Sequence, residues 1–281
     1  MDNLYKGYRT LVMDDETTSA FYSNKEEFCG NIPDLNPNEF IILQDLEGNI
    51  FDIYKNSPNG EIIQIKYPIA SSREIGTIKP RNTGQKLALS LLQNPAIGVK
   101  LLRGVYGSGK DMLMLAQAFQ DLEAGRFKKL VFIRPNVSVK DVPEIGYLKG
   151  DAYDKLSWTL GPFYDKVGGA EGVEYLIAEG ELELVPLPFI RGRSFENSIV
   201  YVCEGQNITT EIAKLLISRV GEGSELWINA DTHQTDNKVY EKDNGIIKMI
   251  DRLKDDPLFG MVYLSKTERG AIANLANKLD N

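Results

Sequence analysis

The chain has 281 residues, 42% hydrophobic and 26% charged, with a formal net charge of −8; at roughly 150 residues per domain it allows one large globular domain and a small one. The acidic balance argues against a broad nucleic-acid-binding surface but not against a local basic channel, because counterion release needs only a few well-placed Lys and Arg. No apolar run approaches the ~20 residues of a membrane span, the two cysteines (Cys29 and Cys203) make no disulfide framework, and the lone His233 makes no His-rich metal centre.

Met1-Asp2-Asn3-Leu4-Tyr5-Lys6 lacks the character of a signal peptide, so a cytoplasmic protein is expected. Glu16 to Phe28 reads as a helix, and Pro33 and Pro37 keep it from continuing. Three β-rich runs come next, at 40–44, 50–54 and 61–67, separated by turns at Glu47-Gly48-Asn49 and Ser57-Pro58-Asn59-Gly60. They predict a meander or partial barrel, a small β-rich domain over residues 1–76. From 77 to 281 strand and helix alternate, the pattern of a parallel sheet. Helices are expected at 83–92 and 111–123, and strands at 99–103, 129–133, 198–202 and 225–229. After a break at Gly260, a strand at 261–264 precedes a C-terminal helix.

Between the strand at 99–103 and the helix at 111–123 lies Gly104-Val105-Tyr106-Gly107-Ser108-Gly109-Lys110-Asp111. Glycines let backbone N–H groups wrap a phosphate, lysine reaches the β- and γ-phosphates, and the helix N-terminus adds the positive end of its dipole. A chance G-x-x-x-x-G-K at a strand-to-helix junction inside an α/β pattern is improbable, so the loop is read as nucleotide-binding. Its last position is unusual: Ser or Thr would offer Mg²⁺ a hydroxyl, and Asp111 offers a carboxylate. The predicted fold is α/β, a RecA-like P-loop NTPase with an open, mainly parallel sheet behind the β-rich domain.

Further segments carry a resemblance. They are Lys79-Pro80-Arg81-Asn82 with Gln85, Ile133-Arg134-Pro135, Gly146-Tyr147-Leu148-Lys149-Gly150-Asp151, and Phe189-Ile190-Arg191-Gly192-Arg193-Ser194. Glu204-Gly205-Gln206-Asn207, Arg219, Asp231 with Gln234 and Asp236, and Glu268-Arg269 complete the set. In this order and spacing, from about Ile78 onward, the chain resembles the PhoH-like ATPases, whose core is related to superfamily 1 helicases. Tyr5-Lys6-Gly7 and Asn38-Glu39-Phe40-Ile41-Ile42-Leu43 are similar to the β-rich connector of members that carry a PIN ribonuclease domain. Too few residues precede Glu39 for that domain, so no nuclease is expected in this chain.

The resemblance implies site roles. Gln85 corresponds to the glutamine that reads adenine, its amide matching the N6 and N7 edge; the bland alternative is a surface helix residue. Glu204 falls at the catalytic glutamate that orients and deprotonates water, with Gln206 beside it, and Gln234 at the γ-phosphate sensor. Arg134, Arg191, Arg193, Arg219 and Arg269 are phosphate or transition-state candidates, since guanidinium forks match phosphate oxygens; Arg193 and Arg269 are preferred, either in trans within a homo-oligomeric ring such as a hexamer. The family's Walker B segment ends Asp-Glu-Ala-Gln, and here Cys203 replaces the Asp. A carboxylate is lost at 203 and gained at 111, across the same Mg²⁺. Compensation is one reading, because a hard oxygen suits Mg²⁺ wherever it is anchored. Decay is the other: charges about 4 Å apart at an effective dielectric near 20 interact by about 4 kcal/mol, so Asp111 repels a triphosphate without a metal.

The aromatic-rich stretch at 145–164 suits base stacking or, more plainly, a helical insertion with buried aromatics. The expected function is an ATP-binding protein with Mg²⁺-dependent hydrolysis coupled to RNA or single-stranded nucleic acid. The alternatives are a nucleotide-gated assembly subunit with little turnover and, less favoured, a kinase-like phosphoryl transferase.

Overall fold

Most of the apolar runs become strands of two sheets in the computed structural model, which describes residues 4–135, 161–232 and 238–268. The N-terminal part contains β1 (Tyr8–Val12), α1 (Asp15–Ser23), α2 (Lys25–Gly30), β2 (Phe40–Gln44), β3 (Ile50–Asn56) and β4 (Ile62–Gln64). Its sheet runs β1-β2-β3-β4, with β1 parallel to β2 and the other pairs antiparallel. The helix expected at 16–28 is two helices: Asn24 is extended, ends α1, and caps α2 by accepting the Glu27 N–H. Strand β1 was not expected from sequence, and the run at 61–67 shortens to three residues. A hairpin of β5 (Ala70–Ser72) and β6 (Gly76–Ile78) leads onward.

The remaining described elements are α3 (Thr83–Leu92), β7 (Val99–Gly104), α4 (Lys110–Glu123), β8 (Lys129–Ile133), α5 (Gly161–Tyr164), α6 (Gly169–Ala178) and β9 (Leu182–Leu184). After them come β10 (Ser198–Val202), α7 (Thr210–Ile217), β11 (Glu225–Ala230), α8 (Lys238–Lys242), α9 (Gly245–Leu253) and β12 (Phe259–Leu264). The six strands form one all-parallel sheet in the order β12-β7-β11-β10-β8-β9. It is a RecA-like P-loop α/β fold, with β11 between the loop strand β7 and β10.

Both faces of this sheet are covered, which is why its strands are continuously apolar. Alternate residues serve alternate layers. Leu102, Phe132, Tyr201, Cys203, Trp227 and Val262 join α3, α4 and α6 in one cluster. Leu101, Ile133, Val202, Ile228 and Met261 join α7 and α9 in the other. Gly260 does not break the chain but lies inside β12, where a Cβ would come within 2.5 Å of Leu91 on α3.

The two regions share a core. On β2, Phe40 and Ile42 join the α3–α4 cluster, while Ile41 and Leu43 face a local core with Phe21 and Tyr54. Asn38 donates its amide to the Pro257 and Phe259 carbonyls, and the Lys6 carbonyl accepts from the Tyr263 N–H.

Candidate phosphate-binding site

The loop leaves β7 at Gly104, where a Cβ would lie 2.5 Å from the Leu264 carbonyl oxygen of β12, so glycine admits the neighbouring strand. The Val105 N–H then donates to that carbonyl at 3.1 Å. Gly107 and Gly109 take φ of 73° and 91°, the left-handed region that turns the loop into α4. Gly109 caps α4 without a side-chain hydrogen bond, so the first N–H groups of the helix have no side-chain acceptor from their cap. Ser108 is fully buried, and its Oγ has no hydrogen-bond partner among the described residues. Tyr106 is exposed.

Lys110 Nζ donates to the Gly104 and Val105 carbonyls at 2.8 and 3.0 Å. Burial lowers its pKa, while Asp231, Asp111 and Glu204 pull the other way. Those three carboxylates therefore face the loop lysine from α4, the end of β10 and the end of β11.

The outer side of the loop is held by two segments. Gln85 Nε2 donates to the Ser108 carbonyl at 3.0 Å, and its Oε1 accepts from the Arg81 N–H. The Glu268 N–H donates to the Gly107 carbonyl, and the Thr267 hydroxyl to that of Tyr106. Asn82 joins the two, capping Gln85 with Oδ1 and donating Nδ2 to Glu268 Oε1.

Asp111 does not stand alone in the first turn of α4. Its Oδ1 accepts from the Tyr201 hydroxyl, from Asn229 Nδ2 and, at 3.6 Å, from the Cys203 thiol. Period-2 alternation puts these groups together: Tyr201 and Cys203 lie on the α4 face of the β10 segment, and Asn229 lies two residues beyond Trp227 on the same face of β11. Burial, with Asp111 adding to it, raises both the Tyr201 hydroxyl and the Cys203 thiol well above their ordinary ranges, so both remain protonated donors at neutral pH.

Asn229 also reaches the next carboxylate. Its Oδ1 accepts the Glu204 N–H at 2.8 Å. Glu204 sits at φ 60°, ψ 43°, a left-handed conformation that costs a non-glycine residue about 1–3 kcal/mol. Gln206 secures it, donating Nε2 to Glu204 Oε2 at 2.6 Å and accepting the Asp231 N–H with Oε1. Tyr201 and Asn229 were absent from the sequence candidates, although a lone Asn in the buried run Leu226-Trp227-Ile228-Asn229-Ala230 was an available signal.

The structure thus gathers Gln85, the loop 104–111, Glu204 and Gln206. It does not bring Arg193 to them: that guanidinium pairs at 2.6 Å with Glu183 of β9, four strands from β7, and lies over the Phe195 ring. Gln234, Arg269 and most of the aromatic stretch at 145–164 lie outside the described residues. Among the described residues no helix is long and apolar enough to cross a membrane.

The model of the family described as PhoH-like protein matches residues 77–276. Protein PhoH2 of Bacillus subtilis is 32% identical over 292 aligned residues, covering 99% of this chain and 65% of its own length. Protein PhoH2 of Mycolicibacterium smegmatis is 32% identical over 215, covering 75% and 49%, and Protein PhoH of Escherichia coli 27% identical over 202, covering 70% and 56%. The chain therefore spans only about half to two thirds of the length of these curated relatives. The Pif1 helicase of Candida albicans has a TM-score of 0.37 at 12% identity, covering 73% of this chain and 44% of that one. A family match over the whole parallel-sheet region, joined to a relative that aligns along nearly the entire sequence, places the chain in the PhoH-like protein family.

Proposed function

We propose that this chain binds ATP with Mg²⁺ at the loop 104–111 and hydrolyses it, in a reaction coupled to RNA or another single-stranded nucleic acid. The observation that carries the reading is the hydrogen-bonded unit running from Asp111 through Asn229 to Glu204. It fixes the loop's unusual carboxylate and a carboxylate suited to act as a base in one frame.

The residues fit a nucleotide. Among the described residues the Ser108 Oγ is unpartnered and Lys110 is bonded to two carbonyls; with the start of α4 these are groups that phosphate oxygens would satisfy. They also fit Mg²⁺. Mg²⁺ is usually held by one or two carboxylates together with phosphates and water. Asp111 would supply that carboxylate through Oδ2, which accepts no hydrogen bond among the described residues. When bound, Mg·ATP supplies the transferable phosphoryl group and neutralises charge on its oxygens.

The protein's own groups do the rest. Lys110 exchanges two carbonyls for phosphate oxygens. Glu204 orients the attacking water and accepts its proton, its carboxylate steadied by Gln206. The Gln85 amide spends one N–H and one lone pair inside the protein and keeps one of each for an adenine edge. Arg193 and Arg269 are assigned to a neighbouring loop in a homo-oligomeric ring.

Phosphate release measured with and without Mg²⁺ and RNA tests this. Mg²⁺-dependent release, raised by RNA, is expected to fall by about two or more orders of magnitude in Glu204→Gln while ATP affinity holds, because the amide keeps the shape but cannot take the proton. Tight ATP binding with no release from the wild type would identify a nucleotide-gated assembly subunit instead.

A further inference from the structure

The chain carries a net charge of −8, yet an open cleft of about 500 Å³ between α7 and the 191–192 turn is lined by three cations, Arg191, Lys214 and Arg219, against one carboxylate, Glu211. Its floor is apolar, from Ile212 and Leu215. Arg191 and Lys214 are exposed and make no ion pair among the described residues. Two residues before Arg191, Phe189 ends a 3-10 turn with 69% of its surface exposed.

The cleft is built rather than incidental. Arg219 donates NH1 to the Arg193 carbonyl, the Phe195 N–H donates to the Arg219 carbonyl, and the Gly221 N–H donates to the Phe195 carbonyl. These bonds tie the turn to the end of α7. On its other side, α7 starts three residues after Asn207, so it continues directly from the segment that holds Glu204. Asn244 pins that segment by donating to the Gln206 carbonyl.

We propose that this cleft binds the backbone of single-stranded nucleic acid, with Arg191, Lys214 and Arg219 on phosphates and Phe189 as a stacking platform for a base. Cations along a groove, with an exposed aromatic ring two residues from one of them, are the combination that holds single strands without reading sequence. An acidic segment of a second copy would satisfy the charges but would leave the exposed ring without a role. The inference rests on the nucleic-acid half of the function proposed above, and it adds the place of contact and its link to Glu204 through α7.

The test is fluorescence anisotropy of a labelled oligouridylate of roughly a dozen nucleotides, titrated with the full chain over a range of salt. Calorimetric ATP affinity and light scattering are measured on the same samples. Lys214→Glu should weaken binding about tenfold and flatten the slope of log K against log salt by about 0.7, the value for one phosphate contact on a single strand. Phe189→Ala should weaken binding and leave the slope unchanged, since stacking releases no counterions. ATP affinity should be unaltered in both, and Lys214→Gln gives a milder variant on the same exposed helix face.

Wild-type binding with no loss in any variant would overturn the cleft and leave the nucleic-acid reading standing. No oligonucleotide binding by the wild type at any salt would overturn both. A change of oligomeric state in Lys214→Glu with oligonucleotide affinity intact would make the cleft a contact between copies of this chain, and would also overturn the proposal.

Discussion

Asp111 is held by donors that a threonine would leave unsatisfied. In Asp111→Thr the Tyr201 hydroxyl and Asn229 amide lose their acceptor, at about 1–3 kcal/mol for a buried group. Mg·ATP affinity or turnover should fall as well, because Cys203 is a poor partner for a hard ion. Adding Cys203→Asp should restore both. Position 203 already lies 3.6 Å from Asp111 and 3.9 Å from the Asn229 amide, so its carboxylate would inherit the same donors. Calorimetric titration and phosphate release on the two single variants and the double should be strongly non-additive, as expected for groups sharing one ion. Tighter nucleotide binding by Asp111→Thr alone would establish decay instead of compensation.

Asn229 is a positioning residue between the two carboxylates. Asn229→Ala frees the Glu204 backbone in its strained conformation and removes a donor from Asp111. Turnover should drop about a hundredfold, the scale of a small misplacement of a reacting group, with ATP affinity changed little. Loss of affinity equal to the loss of turnover would show that Asn229 supports the loop and not the base. Of this site, the sequence displayed the loop through spacing and residue type, and Glu204 and Gln206 through the family resemblance. Tyr201 and Asn229 were hidden because each lies in an apolar strand and gains meaning only when β10 and β11 are paired in register.

At the scale of elements, the junction of β7 with the loop is set by its neighbour. Gly104→Ala would push a Cβ against the Leu264 carbonyl and side chain, at 2.5 and 2.7 Å, and backbone on both sides leaves little to give. The expected cost is about 1–3 kcal/mol, typical of overpacking, read as a lower midpoint in thermal unfolding; an unchanged midpoint would mean that β12 yields freely. The central strands were legible because a sheet covered on both faces leaves uninterrupted apolar runs between helices. Two edge strands, β9 and β1, were not. In β9 only Leu182 is buried, and β1 carries Arg9, whose guanidinium is bound by Glu39, so neither displays an apolar run. Gly260 looked like a break because close helix approach and chain termination call for the same residue.

Across the whole molecule, a buried ion network lies where β7 begins. Lys100, fully buried, bonds Glu225 at 2.6 Å and the Leu92 carbonyl and lies over the Trp227 ring, while Arg126 bridges Glu225 and Asp121. Burial pulls the Lys100 pKa from 10.5 down to about 8, with Glu225 and Asp121 opposing and Arg126 assisting. Between those values the unfolded chain keeps a proton that the folded one has released. Its contribution to stability therefore grows as pH rises from 8 toward 10.5 and is lost as pH falls through 8, at up to about 1.4 kcal/mol per pH unit. Urea unfolding at about pH 7.5 and about pH 9.5 should show this gain in the wild type relative to Lys100→Met; equal pH responses would show that the pair does not titrate in this range.

Strand β12 ties the ends of the molecule together mechanically. At one end its Leu264 carbonyl receives the Val105 N–H of the glycine-rich loop; at the other its Phe259 carbonyl receives the Asn38 amide of the small β-rich layer, and Tyr263 donates to Lys6 between them. A rod clamped at both ends passes displacement from one to the other without a slack joint. The loop and the N-terminal layer therefore hang on the same strand, and a shift of either would bear on β12.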